Sequence, residues 1–370
     1  MLIFMYVIIG IIAGILFVAI FNAFTAPMLK KRLPLQNHPS VSVLVPARNE
    51  ERNIAACLEG LVAQNYSNCE IIVLNDHSED CTAEIVKQLS ESNSQIKLIE
   101  GKPLPAGWTG KNWACHQLSQ KASGEILIFT DADNRHAIDA IANTVGWIQK
   151  LNLGLFSAFP QQITVTLPEK LVIPVIDMFV YAALPLWLTY YARSPSLSAA
   201  NGQWIAFTRE AYQRIGGHQE VQNKIVEDVE LSRLAKRKGI KILTSPGTGA
   251  VSGHMYHSFS ETWEGFSKNL FGLMGYKTIP FFVVLLVLLS ICVLPYFLVW
   301  ISPFTTLAAI AIALNILLRL IMVCKYKHPI LTSIVLHPIA IVFTAMIGLN
   351  SFLCYKRGRV QWKGREINLR

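Results

Sequence analysis

Several groups of polar residues in this chain are spaced for chemistry on a phosphate-bearing ligand. Asp131-Ala132-Asp133 presents two carboxylates just after the apolar run at residues 126–129. Two hard oxygen donors suit Mg2+ or Mn2+, ions that bridge to phosphate oxygens and keep several waters. A solvated turn with Asp capping a helix from about residue 137 is the plain alternative. Residues 46–51 and 75–80 form two further polar clusters, each following an apolar run. Asp76 is suited to accept from a nucleobase N–H, with Asp80 nearby as a helix cap. Gly110-Lys111 opens a helix, where amides and an ammonium meet a diphosphate, or where an ordinary helix starts with an exposed lysine. Glu227-Asp228 and Glu230 precede Leu231 and Leu234. A carboxylate there can act as a general base, or the group is a solvated acidic face paired with Arg233, Lys236 and Arg237. His254 and His257 are either extra imidazole donors for Mn2+ or structural. The chain has no G-x-x-x-x-G-K-[ST] loop and no strand-linked G-x-G-x-x-G, so ATPase and dinucleotide-dependent dehydrogenase readings lose their main support.

The elements that must position these groups alternate. Val41 to Val45 reads as a buried strand ending at Pro46, and Ile54, Cys57, Leu58, Leu61 and Val62 form a helical stripe. Residues 71–74 read as a strand, about 81–90 as a helix, 96–99 as a strand, 101–110 as a loop, 112–121 as a helix and 126–129 as a strand. The alternation predicts an α/β domain with a doubly wound, mostly parallel sheet. Such sheets bind ligands at the carboxyl ends of their strands. Three of the polar clusters fall there, which favours the chemical reading over the solvated-turn reading.

Composition narrows the class. The 370 residues carry a formal charge of +9, 15% are charged and 52% hydrophobic. Soluble domains carry about 25% charged residues. These figures exclude a disordered chain, a disulfide-stapled mini-protein and a fully soluble enzyme. The seven scattered cysteines form no C-x-x-C pair and indicate neither a zinc site nor a disulfide framework, so a reducing cytoplasm is expected around the globular part.

Residues 2–24 are uncharged and long enough to cross a hydrocarbon core of about 30 Å. An uncleaved anchor over 1–25 is expected, held to the cytoplasmic side by Lys30-Lys31-Arg32. Further apolar stretches lie at 280–301, 304–323 and 331–354, giving a C-terminal membrane region over 280–354 and a basic cytosolic tail over 355–370. If all three cross, the basic tail leaves the cytoplasm, so one is expected to re-enter or lie at the interface. The last, with Pro338 mid-way, is the candidate. The run 171–192 is interrupted by Pro174, Asp177 and Pro185 and is expected to lie at the bilayer surface. Its aromatics Phe179, Tyr181, Trp187, Tyr190 and Tyr191 suit a lipid ramp or plain interfacial anchoring. The globular domain is expected over 36–275. Much of the basic charge lies beside apolar segments, which favours anionic lipid headgroups over nucleic acid.

As an ordered set, Pro46-Ala47-Arg48-Asn49-Glu50-Glu51, Asn75-Asp76, Gly110-Lys111, Asp131-Ala132-Asp133, Gly216-Gly217-His218 and Glu227-Asp228 resemble the family 2 inverting glycosyltransferases of the GT-A fold. The anchor, cytosolic domain and C-terminal apolar helices are similar to the membrane-bound lipid-acceptor branch. The tail Val360-Gln361-Trp362-Lys363-Gly364-Arg365 resembles carotenoid glycosyltransferases of the diaponeurosporenoate and chlorobactene type. The resemblance implies that Asp76 contacts a uracil-type base and that Pro46, Arg48 and Glu50 line the nucleotide pocket. It implies that Asp133 holds Mg2+ or Mn2+, that Asp131 meets sugar or nucleotide, and that Asp228 is the catalytic base. Lys111 joins the donor side. The chain departs from the family's frequent aspartate pair at Asn75, and Trp263 to Asn269 lacks the Q-x-x-R-W motif of processive members. That leaves Lys268, Lys363 and Arg365 as substitutes for leaving-group stabilisation, or as headgroup contacts. Asn201 and Trp204 border the acceptor, Trp204 being equally suited to the core.

The expected function is transfer of a hexose, with UDP-glucose the expected donor, to a carotenoid or other lipid acceptor in a plasma or inner membrane. A hopanoid, glycerolipid or ceramide acceptor is the near alternative. A polysaccharide synthase is disfavoured by the missing motif. A non-catalytic nucleotide-sugar-binding scaffold is the alternative of a different class.

Overall fold

The computed structural model describes residues 2–358, 360–362 and 365–367. In chain order the elements are α1 (Leu2–Thr25), β1 (Val41–Ala47), α2 (Ile54–Val62), β2 (Cys69–Asn75), α3 (Thr82–Ser92), β3 (Ile96–Glu100), α4 (Gly110–Lys121), β4 (Ile126–Thr130), β5 (Asn134–His136), α5 (Ala140–Leu151), β6 (Leu155–Phe159), β7 (Gln161–Gln162), α6 (Leu167–Tyr181), α7 (Leu188–Tyr191), β8 (Trp204–Thr208), α8 (Arg209–Ile215), α9 (Glu227–Arg237), β9 (Ile242–Pro246), β10 (Val251–Gly253), α10 (Phe259–Leu273), α11 (Thr278–Cys292), α12 (Leu294–Leu298), α13 (Thr305–Tyr326), α14 (Ile330–Ile334), α15 (His337–Lys356), β11 (Val360–Trp362) and β12 (Arg365–Ile367). The chain divides into an α/β unit, residues 27–163 with 186–255, and a helical unit, residues 1–26, 164–185 and 256–370. Of the span 36–275 expected as one domain, 164–185 and 256–275 fall in the helical unit.

The α/β unit holds a seven-stranded sheet of order β3-β2-β1-β4-β8-β6-β9, parallel except for β8, which runs opposite to both neighbours. Alternate side chains of each strand enter different cores because successive Cβ atoms point to opposite faces. Val41, Val43, Val45, Ile71, Val73, Ile126 and Ile128 pack with α2 and α5. Leu44, Ile72, Leu74, Leu127 and Phe129 pack with α4, α8 and α9. Strand β1 continues through Pro46, paired with Leu74, rather than stopping there. A second sheet, β5-β10-β7, follows β4 directly. The helix expected from about residue 137 therefore begins only at Ala140, and its N-cap is Asp139, so Asp131 and Asp133 do not cap it.

The reversal of β8 matters for the site. Because β8 is antiparallel to β4, with Thr130 opposite Trp204, the residues entering β8 lie beside the residues leaving β4.

In the helical unit, Leu2–Thr25, Thr278–Leu298, Thr305–Tyr326 and His337–Lys356 are long and apolar enough to cross a membrane. Ile3, Phe24 and Leu286 are among their outward-facing side chains. The span 171–192 is not one amphipathic surface element. Leu171, Val172, Ile173, Val175 and Met178 of α6 are buried within the helical unit, while α7 belongs to the α/β unit. Of the three interruptions only Pro185 falls at the break between them, while Pro174 and Asp177 lie within α6. Pro338 is not mid-helix either. It is in the first turn of α15, where its missing N–H and fixed φ are tolerated.

Candidate active site

The carboxyl ends of β1 and β2 build one half of the site. The Arg48 guanidinium donates to the carbonyls of Asp76 at 2.8 Å and His77 at 3.3 Å. The Asp76 N–H donates to Ala47 O at 2.8 Å. Asp76 is thereby fixed in a buried position between the two strand ends. Asn49 and His77 adopt left-handed backbone conformations, and Asn49 bonds across to Ser78 and Glu79. The Glu50 N–H donates to Thr82 Oγ1 at 2.8 Å, which ties the loop after β1 to the start of α3. Pro46 is half-buried, one residue before the end of β1. Asn75 fits its place physically: its Nδ2 donates to Glu100 Oε2 at 2.7 Å. An aspartate there would set two carboxylates against each other. Gly101 approaches Asn75 O so closely that a Cβ would stand 3.0 Å from it.

The other half is a charge cluster. Thr109 caps α4 by accepting from Asn112 N, which aims the first turn at the sheet edge. Lys111 Nζ lies 2.9 Å from Asp131 Oδ1 and 3.2 Å from Glu227 Oε1. Burial opposes the Lys111 charge, but the Asp131 and Glu227 carboxylates outweigh it and hold the ammonium well above its ordinary value. Asp228, next to Glu227 in the first turn of α9, accepts from Gly202 N at 2.8 Å and from Val229 N at 2.8 Å. Burial, then the neighbouring Glu227, push its carboxyl up to about 7, against the opposing pull of Lys111. The first turn of a helix ordinarily favours the anion. Here desolvation and a like charge win. The result is a carboxylate poised to take a proton near neutral pH.

Gly202 sits at the centre of this cluster. A Cβ there would be 3.0 Å from Lys111 Nζ and 3.1 Å from Glu227 Oε1. Buried Asn112 supports it from behind, its amide donating to the carbonyls of Val221, Gln222 and Lys224 at 2.7–3.2 Å. These bonds hold the strap that leads into Glu227 and Asp228. Gly202, Asn112 and the Lys111 partnership of Glu227 were not legible in the sequence. The only signal was the Asn201-Gly202 dipeptide.

Asp133 leaves β4 and precedes β5. Gly253 of β10 pairs with Asn134, so one further antiparallel step sets position 254 opposite position 133. The Asp133 carboxylate and the His254 imidazole each stand one residue beyond the paired strands. Among the described residues no three His, Cys, Asp or Glu side chains gather to hold a metal alone. That donor set still fits Mg2+ or Mn2+, which take one or two protein carboxylates and complete their shells with substrate phosphates and water. Cys57 borders this region, and burial, then Asp133, keep its thiol protonated.

The acceptor-side expectations divide. The Asn201 side chain folds back on its own loop, its Oδ1 accepting from Gln203 N at 2.9 Å. Trp204 is core, fully buried and donating to Thr144 Oγ1 at 3.0 Å, because β8 turns it into the face shared with α5. Lys268 lies on α10 in the helical unit. Lys363 lies outside the described residues, and Arg365 falls in β12. The acids of α9 are also not one solvated face. Glu230 pairs with Arg233 as expected, but Glu227 pairs with Lys111, and Lys236 donates instead to the carbonyls of Ala192 and Leu197 at 2.8 Å each.

A mostly parallel sheet with one reversed strand carries carboxylates at its carboxyl edge and a lysine facing them, an arrangement similar to the GT-A fold of glycosyltransferases. Residues 42–174 match the family model described as Glycosyl transferase family 2. It is 29% identical over 236 residues to a 4,4'-diaponeurosporenoate glycosyltransferase of Staphylococcus haemolyticus, an alignment covering 62% of this chain and 61% of that protein. It is 25% identical over 363 residues to the Staphylococcus aureus protein of the same name, covering 90% and 89%. Its fold is similar to that of a mannosyltransferase from Pyrobaculum calidifontis solved in complex with GDP-Man and Mn2+, with a TM-score of 0.55, 20% identity and coverage of 93% and 99%.

Proposed function

We propose that this protein transfers a hexose, glucose in the first instance, from a nucleotide diphosphate sugar to a lipid acceptor of the carotenoid type, with inversion at the anomeric carbon. The observation that carries the reading is Asp228, raised to about 7 and held by Gly202 beside the Lys111–Asp131–Glu227 cluster at the sheet's carboxyl edge. The acceptor class follows the names of the staphylococcal relatives. The four apolar helices suit a multi-pass membrane protein that meets an acceptor dissolved in the bilayer, with its α/β unit on the cytoplasmic side.

In this reading Asp76 accepts from the nucleobase, with Pro46, Arg48 and Glu50 around it. Lys111 and the amides opening α4 hold the diphosphate. Asp133 and His254 hold a divalent cation, which supplies charge neutralisation on the departing diphosphate. Asp228 takes the proton of an acceptor hydroxyl, and the acceptor oxygen bonds to the anomeric carbon as the bond to the diphosphate oxygen breaks. A carboxylate acceptor brings its own charge, and Asp228 then serves only to orient it.

The test is transfer by purified protein in lipid, using UDP-glucose, Mn2+ or Mg2+, and hydroxylated or carboxylated carotenoids. A coloured, more polar product that depends on Asp228 is expected. UDP release without product would discard the acceptor. Neither signal across several nucleotide sugars would discard catalysis.

A further inference from the structure

A second polar cluster is buried in the helical unit, apart from every residue given a role above. Arg319 of α13 is 1% exposed. Its Nε donates to Ser333 O at 3.0 Å and one Nη to Pro174 O at 2.9 Å. These bonds engage two of the five guanidinium N–H donors. Among the described residues no carboxylate lies within 4.0 Å of it. Asp177 of α6 is instead engaged by His328, with Nε2 and Oδ2 2.9 Å apart. In the same helical unit, Ser333 Oγ and both ring nitrogens of His337 are buried and have no hydrogen-bond partner. Both residues are 1% exposed. His337 follows Ser333 by four residues, and the charge of Arg319 reaches its ring.

The only carboxylate whose charge reaches Arg319 among the described residues, Asp177, is already engaged by His328, so the buried cation is weakly countered. That is unfavourable, and so is each buried donor that has given up water for nothing. Ionisable residues among membrane helices mark functional sites by default, and basic pockets between such helices receive lipid headgroups. We propose that Arg319, Ser333 and His337 form a binding site for the oxyanion head of a membrane-dissolved lipid. The planar guanidinium fork matches a carboxylate or a phosphate. Ser333 supplies a hydroxyl donor and His337 an N–H. The oxyanion comes either from a phospholipid phosphate or from the carboxylate of a lipidic acid. The site rests on reading the helical unit as membrane-embedded.

The full chain in mild detergent is titrated with phosphatidylglycerol and with a long-chain polyene carboxylic acid, and its melting temperature is followed. Diacylglycerol and the polyene methyl ester serve as the neutral counterparts. A saturable rise of several degrees with one acid, absent with its neutral counterpart, is expected. Phosphatidylglycerol alone acting assigns a phosphate, and the polyene acid alone assigns a carboxylate. Arg319→Met is expected to weaken the response at least about tenfold. The double variant Ser333→Ala/His337→Phe leaves both guanidinium–carbonyl bonds in place, so it carries the test if Arg319→Met does not fold. No response to either acid, or variants that respond as the wild type does, overturns the proposal. Resistance of the chain to alkaline carbonate extraction from membranes is scored separately. Its loss would overturn the membrane reading, while the detergent titration decides the site.

Discussion

The backbone N–H of Gly202 donates to the Oδ2 of Asp228 across 2.8 Å. The bond joins the entry of the one reversed strand to the first turn of α9. The bond favours the ionised carboxylate, but burial, then Glu227, outweigh it together with Lys111 and raise the proton affinity of Asp228.

Asp228→Asn keeps an acceptor for that N–H and removes the base. Turnover with a hydroxyl acceptor is expected to fall about 10^2- to 10^4-fold, with the donor dissociation constant nearly unchanged. Steady-state kinetics and donor titration check this, and a parallel loss of donor affinity would move Asp228 to the donor site. The same variant tests the energetics. A carboxyl whose folded value is raised to about 7 contributes stability at low pH that is lost as pH rises through that value. Asp228→Asn should therefore raise the melting temperature at pH 8 and do little at pH 4.

The pH profile follows with its sign. Asp228 acts on a hydroxyl acceptor only when ionised, so turnover should rise about tenfold per pH unit below an acid limb near 7. Lys111→Met removes the charge that opposes protonation, so the limb should move to higher pH and the donor KM should rise. A limb left in place would show that Lys111 does not act on Asp228.

Asp133→Ala removes the carboxylate that leaves β4 and should abolish transfer. The independent readout is Mn2+ titration of the resting protein by calorimetry, where binding should weaken by at least about tenfold. Full turnover by the wild type in excess EDTA would sink the metal assignment.

Asn112→Ala frees the strap from Val221 to Lys224 without touching a reacting group. Turnover should drop about tenfold, with the donor KM little changed and the acid limb shifted. Asn112→Gln should restore part of it. Equal losses in every parameter would mark a purely structural role.

The parallel half of the sheet was readable because its strands are continuous apolar runs, and such runs report burial on both faces. Asp76, Lys111, Asp131 and Asp133 were readable because they stand immediately after those runs or at a helix start. The helix from about residue 137 was misplaced because the short β5 has no periodicity of its own. The run 171–192 was misread as one surface element because hydropathy does not say which neighbour covers an apolar stretch. Trp204 looked like a border residue by its place after Asn201, yet the pleat of β8 turns it inward.

Local pattern determined the alternation of strands and helices, the carboxylates at strand ends and the four long apolar helices. These properties follow from short-range periodicity, composition and turn chemistry. The partners of each charge were decided only in three dimensions. Lys111 meets Glu227 across 116 positions of sequence, and Gly202 meets Asp228 across 26, because β8 runs against β4 and brings its entry to the same edge. Strand direction is set by packing of the whole sheet, and no residue in the strand encodes it alone.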